Sequence, residues 1–198
     1  MFLENSLNAK KQFGWIEVIC GSMFSGKTEE LIRRLRRSQF AKQKIEIFKP
    51  TLDSRYDTEM ITSHDQNQIH STSVPAAANI RILANGCDVV GIDEAQFFDD
   101  EIIQVCNDLA NSGIRVIVAG LDMDYKGNPF GPMPGLMATA EHVTKVHAIC
   151  TQTGNLANYS YRISSNESIV HLGEKDSYEP LSREAFFNAY HKKNNKDS

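Results

Sequence analysis

The stretch GSMFSGKT, residues 21–28, constrains this chain more than any other. A glycine, four residues and then Gly26-Lys27-Thr28 is the spacing of a loop that cradles phosphates. Such a loop works between a strand and a helix. Phosphate oxygens are met there by backbone N–H groups of the turn and by the positive end of the following helix. Both flanks are present. WIEVIC (15–20) is a β-branched run that predicts a strand. KTEELIRRLRRSQFA has Leu31, Ile32 and Leu35 at helical spacing, with Glu29 and Glu30 in the first turn, where the helix dipole favours acids. Gly21 and Gly26 allow close backbone approach, and Ser22, Met23, Phe24 and Ser25 form the body of the loop. Lys27 sets a cation against the outer phosphates, and Thr28 offers a hydroxyl to Mg²⁺.

The remaining pattern fits an α/β chain. KIEIFKP (44–50) predicts a strand stopped by Pro50, and residues 51–71 a polar surface loop. NIRIL (79–83) predicts a short strand after a helical turn. DVVGIDEAQFF (88–98) and IRVIVAGLD are apolar throughout, as strands buried on both faces of a parallel sheet are. Between them, DEIIQVCNDLANSG predicts an amphipathic helix closed by Gly113, and KVHAI (145–149) predicts the last strand. Alternating strands and helices predict a doubly wound sheet like that of P-loop NTPases, parallel and flanked by helices. From Cys150 the pattern changes to short alternating stretches and turns, which predicts a small separate lobe closed by the helix SREAFFNAYHKK. The expected division is 1–149 for the nucleotide-binding domain, 150–190 for the lobe and 191–198 for a loose tail. No internal repeat is visible.

Composition narrows the partners. The net charge of −4 does not suit a general nucleic-acid coat. RRLRR (33–37) is balanced by Glu29 and Glu30 and is expected to be a solvated helix face. No run of 18 apolar residues predicts a membrane span, and residues 1–15 carry no apolar signal core. Cysteines 20, 87, 106 and 150 lie too far apart for a disulfide framework, so a reduced, cytoplasmic chain is expected.

The acids at 93 and 94 carry the chemistry. Asp93 ends an apolar strand, where P-loop enzymes keep a metal-supporting acid. Glu94 beside it can orient water for hydrolysis or take a proton from an acceptor hydroxyl. DEAQ also looks like the acidic box of helicase motors, but 198 residues leave no room for a second motor domain. No NKxD guanine-reading motif is present. The residues alone leave open a phosphotransferase, a small P-loop ATPase module acting on a protein or nucleic acid, and a nucleotide-binding regulator without turnover.

GSMFSGKTEELIRRLRR, SRYDTEMITSHD, GIDEAQFF, VIVAGLDMDYKGNPFG and GEKDSYEP together resemble the thymidine kinases of the small, cytosolic, tetrameric type, collinearly from about Trp15 to Tyr190. The resemblance implies transfer of the γ-phosphoryl of ATP, with Mg²⁺, to the 5′-hydroxyl of thymidine or deoxyuridine. It gives Glu94 the base role and Asp93, with Thr28, the Mg²⁺ role, partly through water. Gln96 joins the implied nucleotide-binding set. Met23, Phe97, Leu121, Tyr125 and Phe130 are implied to wall the thymine pocket, with Asp53 and Arg55 near the acceptor. A lasso-like loop, roughly 160–178, is implied to clamp the nucleoside, with Ser160 and Tyr178 at its ends. Inhibition by thymidine triphosphate and a homotetramer are also implied, and neither a nucleic-acid nor a membrane partner.

The family usually carries a structural zinc on two Cys-x-x-Cys pairs in the lobe. Here Cys150 keeps one thiol, while Thr153, Ser182 and Ala185 stand at the other three positions. No bound zinc is expected, with His147 and His171 conceivable substitutes. Tyr159, Tyr161, Ile163, Ile169, Val170, Leu172, Phe186, Phe187 and Tyr190 are expected to pack the lobe instead.

Overall fold

A computed structural model describes residues 13–51, 60–62, 68–163 and 177–194. In chain order the elements begin β1 (Trp15–Gly21), α1 (Lys27–Phe40) and β2 (Ile45–Pro50). A hairpin of β3 (Met60–Thr62) and β4 (Gln68–His70) follows, then β5 (Thr72–Val74) and α2 (Ala77–Leu83). Next come β6 (Val89–Ile92), a 3-10 turn at Ala95–Phe97, α3 (Glu101–Asn111), β7 (Arg115–Leu121), α4 (Met133–Thr139) and β8 (His142–Lys145). The chain continues through β9 (Ala148–Ile149), β10 (Leu156–Ala157), β11 (Tyr159–Arg162), β12 (Tyr178–Leu181) and α5 (Arg183–Asn194).

Six strands make one parallel sheet in the order β5-β2-β6-β7-β1-β8. Strand residues alternate between its two faces. Ile16, Val18, Val90, Ile92, Val116 and Val118 meet α2, α3 and α4 through Ile80, Ile102, Val105 and Met133. Ile19, Ile47, Val89, Ile117 and Ala119 meet α1 through Leu31, Ile32 and Leu35. Continuous apolar strands follow from this double burial, since neither face is wet.

The α1 face also buries charge. Glu17 in β1 is 2% exposed. Its carboxylate accepts from Arg34 Nη1, Arg115 Nε and Trp15 Nε1, each at 2.7 Å. Burial pushes this carboxyl up, but the hydrogen bonds and charge of Arg115, with Trp15 and Arg34, outweigh it and hold Glu17 below the usual carboxylate range. Arg34 therefore corrects the reading of RRLRR as a solvated face. It is 4% exposed and also meets Glu30 at 2.8 Å and Thr144 at 2.9 Å. Arg33 stays on the surface.

Several elements differ from the sequence expectation. Residues 79–83 are helical, because Ala77, Ile80 and Ala84 share one buried side while Ile82 and Leu83 face outward. Within 51–71 lies the β3–β4 hairpin, and β5 just beyond joins the sheet edge. The run 88–98 holds a strand only to Ile92 before the 3-10 turn. The stretch 145–149 is divided: Lys145 ends β8 beside β1, and Ala148–Ile149 pairs antiparallel with β10. Helix α4 starts just after Pro132 and was masked in sequence by its own Pro134 and Gly135.

Among the described residues, the C-terminal lobe has two antiparallel strand pairs, β9–β10 and β11–β12. Aromatic rings supply its core. Tyr159 stacks on Phe186 at 4.5 Å and Phe186 on Tyr190 at 5.9 Å, with Tyr161 and Phe187 edge-on to Phe186. Ile163 and Phe187, both expected in this core, are exposed. Ile169, Val170 and Leu172 lie outside the described residues.

Candidate active site

The carboxyl ends of β1, β6 and β7 converge, and in open parallel sheets ligands bind at such strand ends. The phosphate loop leaves β1 at Gly21, where a Cβ would lie 2.2 Å from the Val146 carbonyl oxygen, so only glycine fits. It enters α1 through Gly26 at φ 82°, in the left-handed region. Phe24 adopts φ 63°, a conformation that bulky side chains rarely take. Its ring packs against the lobe core, and that contact offsets backbone strain of order 1–3 kcal/mol. Ser25 Oγ donates to the Ser22 carbonyl at 2.7 Å, and Lys27 Nζ donates to the same oxygen at 2.7 Å.

The lobe grips the loop from the other side. Met23 N–H donates to Ser160 Oγ at 2.9 Å, and Ser22 Oγ to the Ala157 carbonyl at 3.3 Å. Ser160, expected at the nucleoside clamp, is thus buried and bonded to the phosphate loop.

Across from the loop, β6 delivers Asp93 and Glu94. Thr28 Oγ1 lies 3.5 Å from Asp93 Oδ2, and Glu94 N–H donates to Asp93 Oδ1 at 3.0 Å. Burial, reinforced by the Glu94 charge, pushes the Asp93 carboxyl up to about 7, against the pull of the Glu94 N–H, Lys27 and Thr28. Burial lowers the Lys27 ammonium, opposed by Glu94, Asp93 and Asp122. Two acids and one lysine packed together in little water form a site ready for the charge of a bound phosphate and cation. The donor set suits Mg²⁺, which takes few protein oxygens and keeps waters and phosphate oxygens in its shell. Thr28 and Asp93 are the residues that would hold it.

Of the expected pocket residues, two are in contact. Phe97 and Phe130 meet edge to face at 5.5 Å. Met23, Phe97, Leu121, Tyr125 and Phe130 are all half-buried. Arg162 was not anticipated. It is 3% exposed, its guanidinium lies 3.8 Å from the Tyr125 ring centre, and its Nε donates to Tyr178 Oη at 2.9 Å. Nothing in the sequence marks this arginine for burial. Its burial comes from β11 pairing with β12, which aligns Arg162 with Tyr178. Asp53 and Arg55, and most of the loop over 160–178, lie outside the described residues.

Gln96, expected to contact nucleotide, is 2% exposed, and its amide is engaged by Leu121 and Glu94.

The positions corresponding to the zinc ligands of the resembling family do cluster, without the chemistry zinc needs. Thr153 Oγ1 lies 3.4 Å from Ser182 Oγ, which accepts from Ala185 N–H at 3.4 Å. Burial raises the Cys150 thiol, but the Thr153 hydroxyl and the N–H groups of Ser182, Gln152 and Thr153 outweigh it and bring it down to about 6. Structural zinc takes four thiolate or imidazole ligands, and one thiol, two hydroxyls and a methyl do not supply them. His147 Nδ1 is 2.6 Å from Asn158 Oδ1, and His171 lies outside the described residues. Among the described residues, no three His, Cys, Asp or Glu side chains group as metal donors.

A phosphate loop facing a strand-end Asp-Glu pair on a parallel sheet defines a P-loop nucleotide-binding protein. The family model described as thymidine kinase matches residues 14–186. The chain is 58% identical over 189 residues to a thymidine kinase of Bacteroides thetaiotaomicron, covering 96% of this chain and 95% of that one. It is 56% identical to one of Porphyromonas gingivalis, covering 93% and 90%, and 60% identical to one of a Rhodothermus species, covering 87% and 81%. This chain belongs to the thymidine kinase family.

Proposed function

We propose that this chain transfers the γ-phosphoryl group of ATP to the 5′-hydroxyl of thymidine and, less well, of deoxyuridine, in nucleotide salvage for DNA synthesis. One observation carries the reading: the phosphate loop and the Asp93–Glu94 pair stand within hydrogen-bond reach through Thr28. Family membership supports it.

Residues 21–28 and the start of α1 receive the β- and γ-phosphates through backbone N–H groups. Lys27 exchanges the Ser22 carbonyl for a phosphate oxygen. Mg²⁺ held at Thr28 and Asp93 would neutralise charge on the transferring group. Glu94 accepts the proton of the 5′-hydroxyl as the new O–P bond forms and the bond to ADP breaks. Met23, Phe97, Leu121, Tyr125 and Phe130 hold the base, Ser160 and Tyr178 the clamp, and Asp53 and Arg55 the acceptor side. One methyl in an apolar pocket is worth about 1–3 kcal/mol, so thymidine is preferred over deoxyuridine. Residues 1–149 bind nucleotide and 150–190 close over the nucleoside, in a homotetramer open to inhibition by thymidine triphosphate.

Incubating a panel of nucleosides with ATP and Mg²⁺, with products separated by chromatography, tests this. Thymidine monophosphate and ADP are expected in equal amounts. Comparable turnover of deoxyguanosine, or ADP without nucleotide product, rules it out.

A further inference from the structure

We infer that Gln96 is a positioning residue that holds the Glu94 carboxylate for proton transfer, rather than a contact to nucleotide. The inference rests on the base role proposed for Glu94.

Strand β6 stops short. Its ladder with β7 ends at Ile92 opposite Val118, while β7 runs on to Leu121 beside β1. The Leu121 N–H is therefore left without a β6 partner. Gln96 fills the gap, its Oε1 accepting that N–H at 2.9 Å. A backbone N–H can only donate, so the amide oxygen must face Leu121 and the NH₂ must face the other way. There it meets Glu94 Oε2 at 2.5 Å. The amide is a rigid bridge from the end of β7 to the acid at the end of β6.

Its surroundings hold it there. Gln96 is 2% exposed. A Cβ on Gly120 would lie 3.0 Å from Gln96 Oε1 and 2.6 Å from Met133 Sδ, so the side chain occupies space that only a glycine leaves. A Cβ on Gly131 would lie 2.4 Å from the Gln96 carbonyl oxygen. Glu94 itself needs holding. It sits at φ 52° and ψ 38°, a left-handed conformation, at the start of the 3-10 turn that carries Gln96. With Oε2 occupied by the amide, Glu94 Oε1 has no hydrogen bond among the described residues and is the oxygen left to accept a proton.

Gln96→Glu keeps an acceptor for Leu121 N–H but removes the amide donor facing Glu94. Gln96→Met keeps the volume and removes both bonds. Each is measured for kcat at saturating substrates, for ATP affinity by calorimetry, and again in a Glu94→Gln background. The expected result is a kcat loss of roughly 10- to 100-fold, the usual cost of misplacing a catalytic group. ATP affinity should stay within about two-fold, and little further loss should appear once Glu94 is Gln, because residues acting as one unit are non-additive. Weakened ATP binding with kcat preserved would make Gln96 a nucleotide contact and overturn the inference. So would an undiminished loss in the Glu94→Gln background. Full activity of Glu94→Gln alone would overturn the base role, and is told apart because it appears with Gln96 intact. Should Gln96→Glu not fold, Gln96→Met decides.

Discussion

The sheet and the lobe solve the same problem, fixing a few residues around a phosphate loop, with different resources. The sheet has two apolar faces and six parallel strands. It bears Glu17 between two arginines, and Glu94 in a left-handed backbone. Among the described residues the lobe has two short strand pairs, so its core is a stack of rings beside a knuckle of hydroxyls around Cys150, and the charge it buries, Arg162, lies against the rings of Tyr125 and Tyr178. The sheet meets its buried charge with opposite charge, and the lobe meets its own with aromatic rings. Small cores need a staple, and stacked aromatic rings supply one here. The two regions meet at Phe24, whose ring belongs to the lobe core and whose backbone belongs to the loop.

The comparison can be broken from either side. Glu17→Ala leaves Arg34 and Arg115 without their shared carboxylate, and removing one partner of a buried ion pair costs about 3–5 kcal/mol. Global unfolding by urea should register it. Phe186→Ala removes the ring on which Tyr159 and Tyr190 stack, and truncating a buried aromatic costs about 3–5 kcal/mol. Its distinguishing mark is where the damage falls. Hydrogen exchange should rise first in β9 to β12, with β1 and β7 still protected, and uniform loss across both regions would contradict the division.

The pH dependence of the sheet follows from Glu17. Its folded carboxyl lies below the ordinary value of 4.5. The stability it contributes is therefore present above 4.5 and is lost as pH falls through the folded value. The gap in melting temperature between the native chain and Glu17→Gln should be widest near neutrality and should narrow below 4.5. A gap unchanged at low pH would exclude the ion pair as its cause.

For the lobe, a zinc chelator should leave both melting temperature and activity unmoved, and elemental analysis should find far less than one zinc per chain. Stoichiometric zinc, lost with unfolding of the lobe, would show that other residues supply ligands.

Much of this was legible in the sequence because the strongest signals are local. The phosphate loop needs only its spacing and its two flanks, and the buried strands announce themselves by unbroken apolar runs. Non-local pairings were hidden. Glu17 interrupts an apolar strand and gives no sign of Arg115, which stands beside it only after β1 and β7 align. Arg162 carries no sign of burial until β12 covers it, and Gln96, expected at the nucleotide, gives no sign of its bridge to Leu121 and Glu94 until the early end of β6 makes room for it. Residues 79–83 alternate well enough for a strand, and only packing against α3 selects the helix.

The account stands most directly on Glu94. Thymidine monophosphate formation by Glu94→Gln, followed in a single turnover with ATP affinity measured alongside, should fall on the order of 10²–10⁴-fold with ATP binding near normal. A rate equal to that of the native chain would mean that the acceptor hydroxyl loses its proton elsewhere, and that the strained acid at the end of β6 serves the fold rather than the chemistry.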